Sequence, residues 1–307
     1  MVPRMRRCLL PLVIGACSST AGMPAAPDAP ADPGRPEGVA LCYSPAANAA
    51  PAVTAFDAAL RAGDRGARAD RIADLEAAAK AMPDEEKVHL FLGLAHLWRL
   101  AEPLPGETDL SSQATSAIGA RDHLQRAYDL CPTDHRIAAW LGPVLVRFGR
   151  VLQDQPTIDR GLAVLDQGIA HYPSFVLFSK LLVFADLAYD APEFVKAVDA
   201  VFENVDACRA TPTDPACTNA TVPHNAEGAG LFLGDALAKG GHRDEAAAAY
   251  RDATLGPAFA SWSFQTDLSA RTSNLDDRIA RLRNADPADD PPVAWQATTQ
   301  CVFCHQH

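Results

Sequence analysis

Residues 231–253 read LFLGDALAKGGHRDEAAAAYRDA. Leu233, Gly234, Leu237 and Gly241, then Ala246, Tyr250 and Ala253, recur at three- and four-residue steps, the spacing that puts side chains on one side of a helix. The same period continues outward. Ile158, Leu162, Leu165, Ile169 and Tyr172 follow it, as do Phe194, Val198, Val201 and Val205. No stretch alternates as a half-buried strand would, so the class is all-α.

The second half of the quoted unit recurs upstream. Ala120, Leu124, Ala127 and Pro132 stand at spacings of 4, 3 and 5, and so do Gly161, Leu165, Gly168 and Pro173. Leu75, Ala78 and Pro83 repeat the tail of that pattern, with Arg71 in its first position. Leu92-Gly93 follows Pro83 by nine and ten residues, and Leu141-Gly142 follows Pro132 by the same distance. Over roughly residues 66–256 the chain resembles the tetratricopeptide repeats. The resemblance implies a solenoid of helix pairs, closely packed through small residues, with a concave face offered to a protein partner. The pattern is irregular. Gly93 to Ala120 spans 27 positions and Gly142 to Gly161 spans 19, where Gly234 to Ala246 spans 12 as in the family. Insertions are therefore expected in the helix-pair turns, the larger at Glu102–Ser112. The expected organisation is a repeat domain over residues 41–285 and a tail over residues 286–307.

Composition agrees with Ala-packed helical layers: of 307 residues 48% are hydrophobic but only 7% aromatic. The 27 Lys and Arg against 38 Asp and Glu give a net charge of −11, which repels nucleic acid and anionic membrane surfaces. No apolar run reaches the roughly 18–20 residues that span a bilayer; the densest, Ser174–Tyr189, contains Lys180 and Asp186.

Residues 1–16 read as an export signal, with Arg4, Arg6 and Arg7 ahead of a short apolar core. Ile14-Gly15-Ala16-Cys17 resembles a bacterial lipobox, which implies a signal peptide cleaved before a lipidated Cys17; an ordinary cleaved signal is the alternative. Ser18 after the cysteine permits outer-membrane sorting by the same resemblance. Loss of the leader removes three arginines and no acid, leaving a net charge of −14. Residues 17–40 then form a Pro/Ala-rich tether with a coil reach of about 25–28 Å. The expected setting is the bacterial cell envelope, as a periplasm-facing lipoprotein held to the membrane only by its lipid.

Eight cysteines remain to be sorted. Cys8 leaves with the leader and Cys17 takes lipid. Cys42, Cys131, Cys208 and Cys217 make an even set, which suggests two disulfides in an exported protein. Cys208 and Cys217 flank a short Pro/Thr/Asp loop and form the expected local pair; Cys42 with Cys131 follows by elimination, a buried free thiol at Cys131 being the alternative.

Cys301-Val302-Phe303-Cys304-His305 is C-x-x-C-H, which looks like the attachment motif of c-type haem. Two cysteines three apart on a helical turn can form thioethers with the two vinyl groups, and the following histidine can ligate iron. The motif implies one covalent haem c on Cys301 and Cys304, with His305 as proximal ligand. Alternatives are a redox cysteine pair, which lacks its βαβ context, zinc on Cys301, Cys304, His305 and His307, and a local disulfide. Only Gln306 and His307 follow the motif, so the turn must dock on the body or on a partner, with Trp295, Val302 and Phe303 as apolar contacts. His224, just past the Cys208–Cys217 loop, is the leading distal-ligand candidate, with His89 and His96 behind it; a surface or capping role competes for His224, and core packing for His96. The function expected is electron transfer with a protein partner in the envelope. A binding adaptor in which haem is secondary or absent is the alternative, and a peroxidase or sensor would require an open sixth iron site.

Overall fold

The computed structural model describes residues 50–132, 134–211, 225–284, 286–297 and 300–306, and every regular element among them is helical. The α-helices are α1 (Ala50–Ala62), α2 (Arg68–Ala81), α3 (Glu86–Ala101), α4 (Leu110–Leu130), α5 (Ala138–Leu152), α6 (Gln155–Ile169), α7 (Pro173–Phe184) and α8 (Pro192–Ala210). They continue as α9 (Ala226–Gly240), α10 (Arg243–Ala253), α11 (Gln265–Ser273), α12 (Leu275–Leu282) and α13 (Gln300–His305). Short 3-10 turns lie at His135–Ile137, Pro287–Asp289 and Ala294–Gln296.

The helices start and stop where local chemistry directs. Asp109 accepts the Ser112 N–H at 2.9 Å at the start of α4, and the Asn225 side chain accepts the Gly228 N–H at 2.6 Å at the start of α9. Prolines occupy the first turn of α6, α7 and α8, where their missing N–H has no partner to lose. Gly241 closes α9 in the left-handed region, φ +83°. The periodic runs become α6 and α8: Leu165 is fully buried with Ile158, Leu162 and Ile169 half-buried against the same core, and Phe194, Val198 and Val201 are buried with Val205 half-buried.

Three helix pairs, α3 with α4, α5 with α6 and α9 with α10, make the most extensive contacts, and each uses the same device. A Cβ at Gly93 would lie 2.6 Å from Leu124, one at Gly142 2.4 Å from Leu165, and one at Gly234 2.2 Å from the Tyr250 ring. Only glycine permits approach at that distance. The insertion at Glu102–Ser112 is divided between the α3–α4 connection and the first turn of α4.

Two apolar cores result. One gathers Phe56, Leu75, Leu92, Trp98, Leu124 and Leu141 from α1 to α5; the other runs from Leu165 and Val176 through Phe194 and Leu231 to Trp295 and Phe303. A buried ionic knot ties the later helices to the tail. Asp235 of α9 takes Arg271 Nε at 3.1 Å on both oxygens, Arg278 at 2.7 Å, the Tyr250 hydroxyl at 2.6 Å and the Ala294 N–H at 2.8 Å. Among the described residues no helix is long and apolar enough to cross a membrane.

Candidate functional site

The C-x-x-C-H segment is helical and buried. It forms α13, where Cys301 is half-buried and Val302, Phe303, Cys304 and His305 are buried. At about 100° per residue, Cys301, Cys304 and His305 share one face, and Val302 and Phe303 take the other. Phe303 meets Phe264 edge-on at 4.2 Å between ring centres, with Trp262 and Phe232 around it. Val302 packs on the loop after α1, where its Cγ1 lies 3.2 Å from the place a Cβ on Gly63 would take; Gly63 has φ +65°. The turn straddles the two cores, since Cys301 packs on the first while Phe303 and Cys304 belong to the second.

A six-residue helix leaves most of its terminal N–H and C=O groups without intrahelical partners. Here the body supplies them. At the N-terminal end, Glu102, fully buried at the end of α3, accepts the Val302 N–H at 2.9 Å on Oε1, with the Cys301 N–H also directed to the carboxylate. Its other oxygen accepts Trp98 Nε1–H at 3.0 Å. At the C-terminal end, Trp262 Nε1–H donates to the Phe303 carbonyl at 3.0 Å and the Asn225 N–H donates to the Cys304 carbonyl at 2.6 Å. The Asn225 side-chain amide donates to the Gln306 carbonyl at 2.7 Å. Gly228, one turn into α9, lies flat against this backbone: a Cβ there would meet the Phe303 oxygen at 2.3 Å. The tail is thus seated on the body rather than projecting from it.

Burial pushes both thiols well above their ordinary range, with the neighbouring Glu102 charge adding to the effect. Burial likewise raises Glu102, opposed by the N–H groups it accepts. Among the described residues no group of three or more His, Cys, Asp or Glu is arranged to hold a metal ion.

Trp295 is buried in the second core, beside α13 in the preceding 3-10 turn, and its indole N–H finds no acceptor among the described residues. Phe303 and Trp295 therefore belong to the seat beneath the turn. Phe303 also borders a cavity of about 370 Å³ that Phe264, Arg271 and Gln296 line, and none of Cys301, Cys304 and His305 lines it. His89 and His96 serve the α3–α4 interface. His89 Nδ1 faces His123 Nδ1 at 3.0 Å and its Nε2 meets the Pro83 carbonyl at 3.0 Å, while His96 stacks on His123 at 6.0 Å. Burial holds His96 down at about 4, so it is neutral at pH 7. Cys131 and Cys208 are each disulfide-bonded, which removes the free-thiol alternative for Cys131. Cys17, Cys42, Cys217, His224 and His307 lie outside the described residues.

Sequence reasoning missed Glu102, Asn225, Trp262 and Gly228. The available signals were faint: Glu102 sits four residues after Trp98 at the start of the larger insertion, and Asn225 stands where an N-cap is expected. No family model, curated protein or solved structure matches this chain.

Proposed function

We propose that the protein is an exported, lipid-anchored c-type cytochrome with one haem, built on a tetratricopeptide-like helical scaffold and acting in electron transfer with an envelope partner. The observation that carries this reading is the arrangement of α13. Two thiols and an imidazole in the C-x-x-C-H order share one face of a helical turn that is buried against the body on the Cys304 and His305 side as well as the Val302 and Phe303 side, and whose two ends are fixed by hydrogen bonds. The donor set fits a covalent haem: Cys301 and Cys304 would carry the thioethers and His305 would ligate the iron. The haem would supply one-electron redox chemistry. The chain's own part is to fix the turn, to limit water around it and, through burial and the neighbouring carboxylate, to set its electrostatic surroundings. The glycine contacts repeated in three helix pairs support the repeat reading of the scaffold. The acidic body would favour a basic partner and an association that weakens with salt.

Haem staining after denaturing electrophoresis tests this, on protein made in a host competent for cytochrome c maturation. The stain should follow the chain and vanish in Cys301→Ala/Cys304→Ala. An unstained chain removes the haem assignment. A second reading, a partner-binding adaptor, draws on the repeated helix pairs alone, and partner capture unchanged in that double variant would favour it. Palmitate labelling that is lost in Cys17→Ser tests the lipid anchor.

A further inference from the structure

The larger departure from the repeat spacing, Glu102–Ser112, has no counterpart in the family pattern and was assigned no role by the motif. In the structure its first residue reaches across 200 positions of sequence to the C-terminal turn. Glu102 is fully buried, and every partner of its carboxylate is an N–H donor: Val302, Cys301 and Trp98 Nε1. The loop behind it is wound around the fully buried Arg68, and Arg99 Nε also pairs with Glu107 at 3.1 Å. Arg68, fully buried in α2, donates to the Glu102 carbonyl at 2.8 Å and pairs with Glu107. Glu107 in turn accepts the Leu104 N–H at 2.8 Å, and its carbonyl accepts the Gln113 side-chain amide at 2.7 Å. This is a folded holder for a single carboxylate.

We propose that Glu102 is the positioning residue for the haem-bearing turn, and that the insertion at 102–112 with Arg68 is the device that holds it in place. In naming the turn as haem-bearing the proposal rests on the function above; the clamp itself is a property of the chain. Two N–H groups of α13 and one indole N–H lose their acceptor together if the carboxylate goes, and buried donors without acceptors drive local opening. Glutamine is a poor substitute here. Its amide keeps one acceptor and turns an NH2 either toward Trp98 or toward Val302, donor against donor. Replacing Trp98 by Phe as well removes the indole donor and leaves that NH2 unopposed.

The test uses the full chain in haem-free form, mildly reduced, and follows maleimide labelling of Cys301 and Cys304 by peptide mass spectrometry. Glu102→Ala should label about tenfold faster or more than the wild type, as loss of several buried hydrogen bonds implies. Glu102→Gln should also label faster, and Trp98→Phe/Glu102→Gln should be slower than Glu102→Gln alone. Val198→Ala, a packing loss in α8, should leave labelling at the wild-type rate. Labelling of Glu102→Ala at the wild-type rate, equal acceleration by Val198→Ala, or no rescue in the double variant overturns the proposal. In matured protein, Glu102→Ala should weaken the Soret circular dichroism, the signature of a haem held in one orientation; an unchanged signal rejects the positioning role. A matured chain without haem would remove the haem reading, while the labelling rates would still decide the clamp.

Discussion

Replacing Gly228 by alanine puts one methyl group where α9 lies against the backbone of α13. Its Cβ would sit 2.3 Å from the Phe303 oxygen, 2.6 Å from the Phe303 carbon and 2.6 Å from the Cys304 Cα. All three are backbone atoms, so no side-chain rotation relieves the overlap. Ordinary contact begins at 3.4 Å, and the tail must therefore retreat by about 1 Å or more in a close-packed interior. That displacement cannot keep the Asn225 bonds to Cys304 and Gln306, the Trp262 bond to Phe303 and the Glu102 bond to Val302 at their lengths of 2.6 to 3.0 Å. Alanine gains up to about 1 kcal/mol in helix propensity. Against that stand three or four hydrogen bonds at about 1 kcal/mol each and an overpacking cost of about 1–3 kcal/mol. The net effect is a loss of about 3–6 kcal/mol in the seating of the tail, helices α3 to α8 changing little. Hydrogen exchange read by mass spectrometry should show faster exchange confined to residues 286–306 and to the start of α9. Exchange in the tail equal to the wild type, or acceleration spread evenly through α3 to α6, would refute the packing argument.

Three further outcomes follow from the same structure. His96 has its pKa lowered to about 4 by burial, so the unfolded chain binds a proton that the folded chain does not between about pH 6.5 and 4; stability is full above that window and lost as pH falls through it, by about 3 kcal/mol at the limit. His96→Phe should flatten that part of the acid limb in chemical denaturation, and an unchanged limb would contradict the assignment. Asp235→Ala leaves the buried Arg271 and Arg278 without their shared carboxylate and should cost about 3–5 kcal/mol, seen as a large drop in Tm. Gly142→Ala, whose Cβ would meet Leu165 at 2.4 Å and the Gly161 oxygen at 3.0 Å, should lower stability by about 1–3 kcal/mol despite the better helix former; a rise in Tm would show that the helix pair has room.

Much of the fold was legible because its signals are local. The apolar period marked α6 and α8, the closing prolines Pro83 and Pro132 fell between helices while Pro173 opens α7, and the small residues Gly93, Gly142 and Gly234 lie at the close approaches. The candidate site residues stand out for the same reason, since Cys301, Cys304 and His305 form the C-x-x-C-H pattern within five positions. Their setting was not. Glu102 is one of 38 acidic residues, and nothing within its own neighbourhood says that it will cap a helix 200 residues away. Asn225 caps α9, but its second task, holding the Cys304 and Gln306 carbonyls, depends on how α9 meets α13. The ionic knot at Asp235 is equally non-local, joining α9, α10, α11, α12 and the tail. Periodicity reports which face of a helix is buried, and not what covers it.

Intact and tandem mass spectrometry of the purified, matured chain under denaturing conditions decides whether the haem is covalently attached. One haem per chain should be found, retained after unfolding and mapped to the peptide that contains Cys301 and Cys304. A chain of bare polypeptide mass whose two C-terminal cysteines titrate as free thiols or as a disulfide would contradict that attachment.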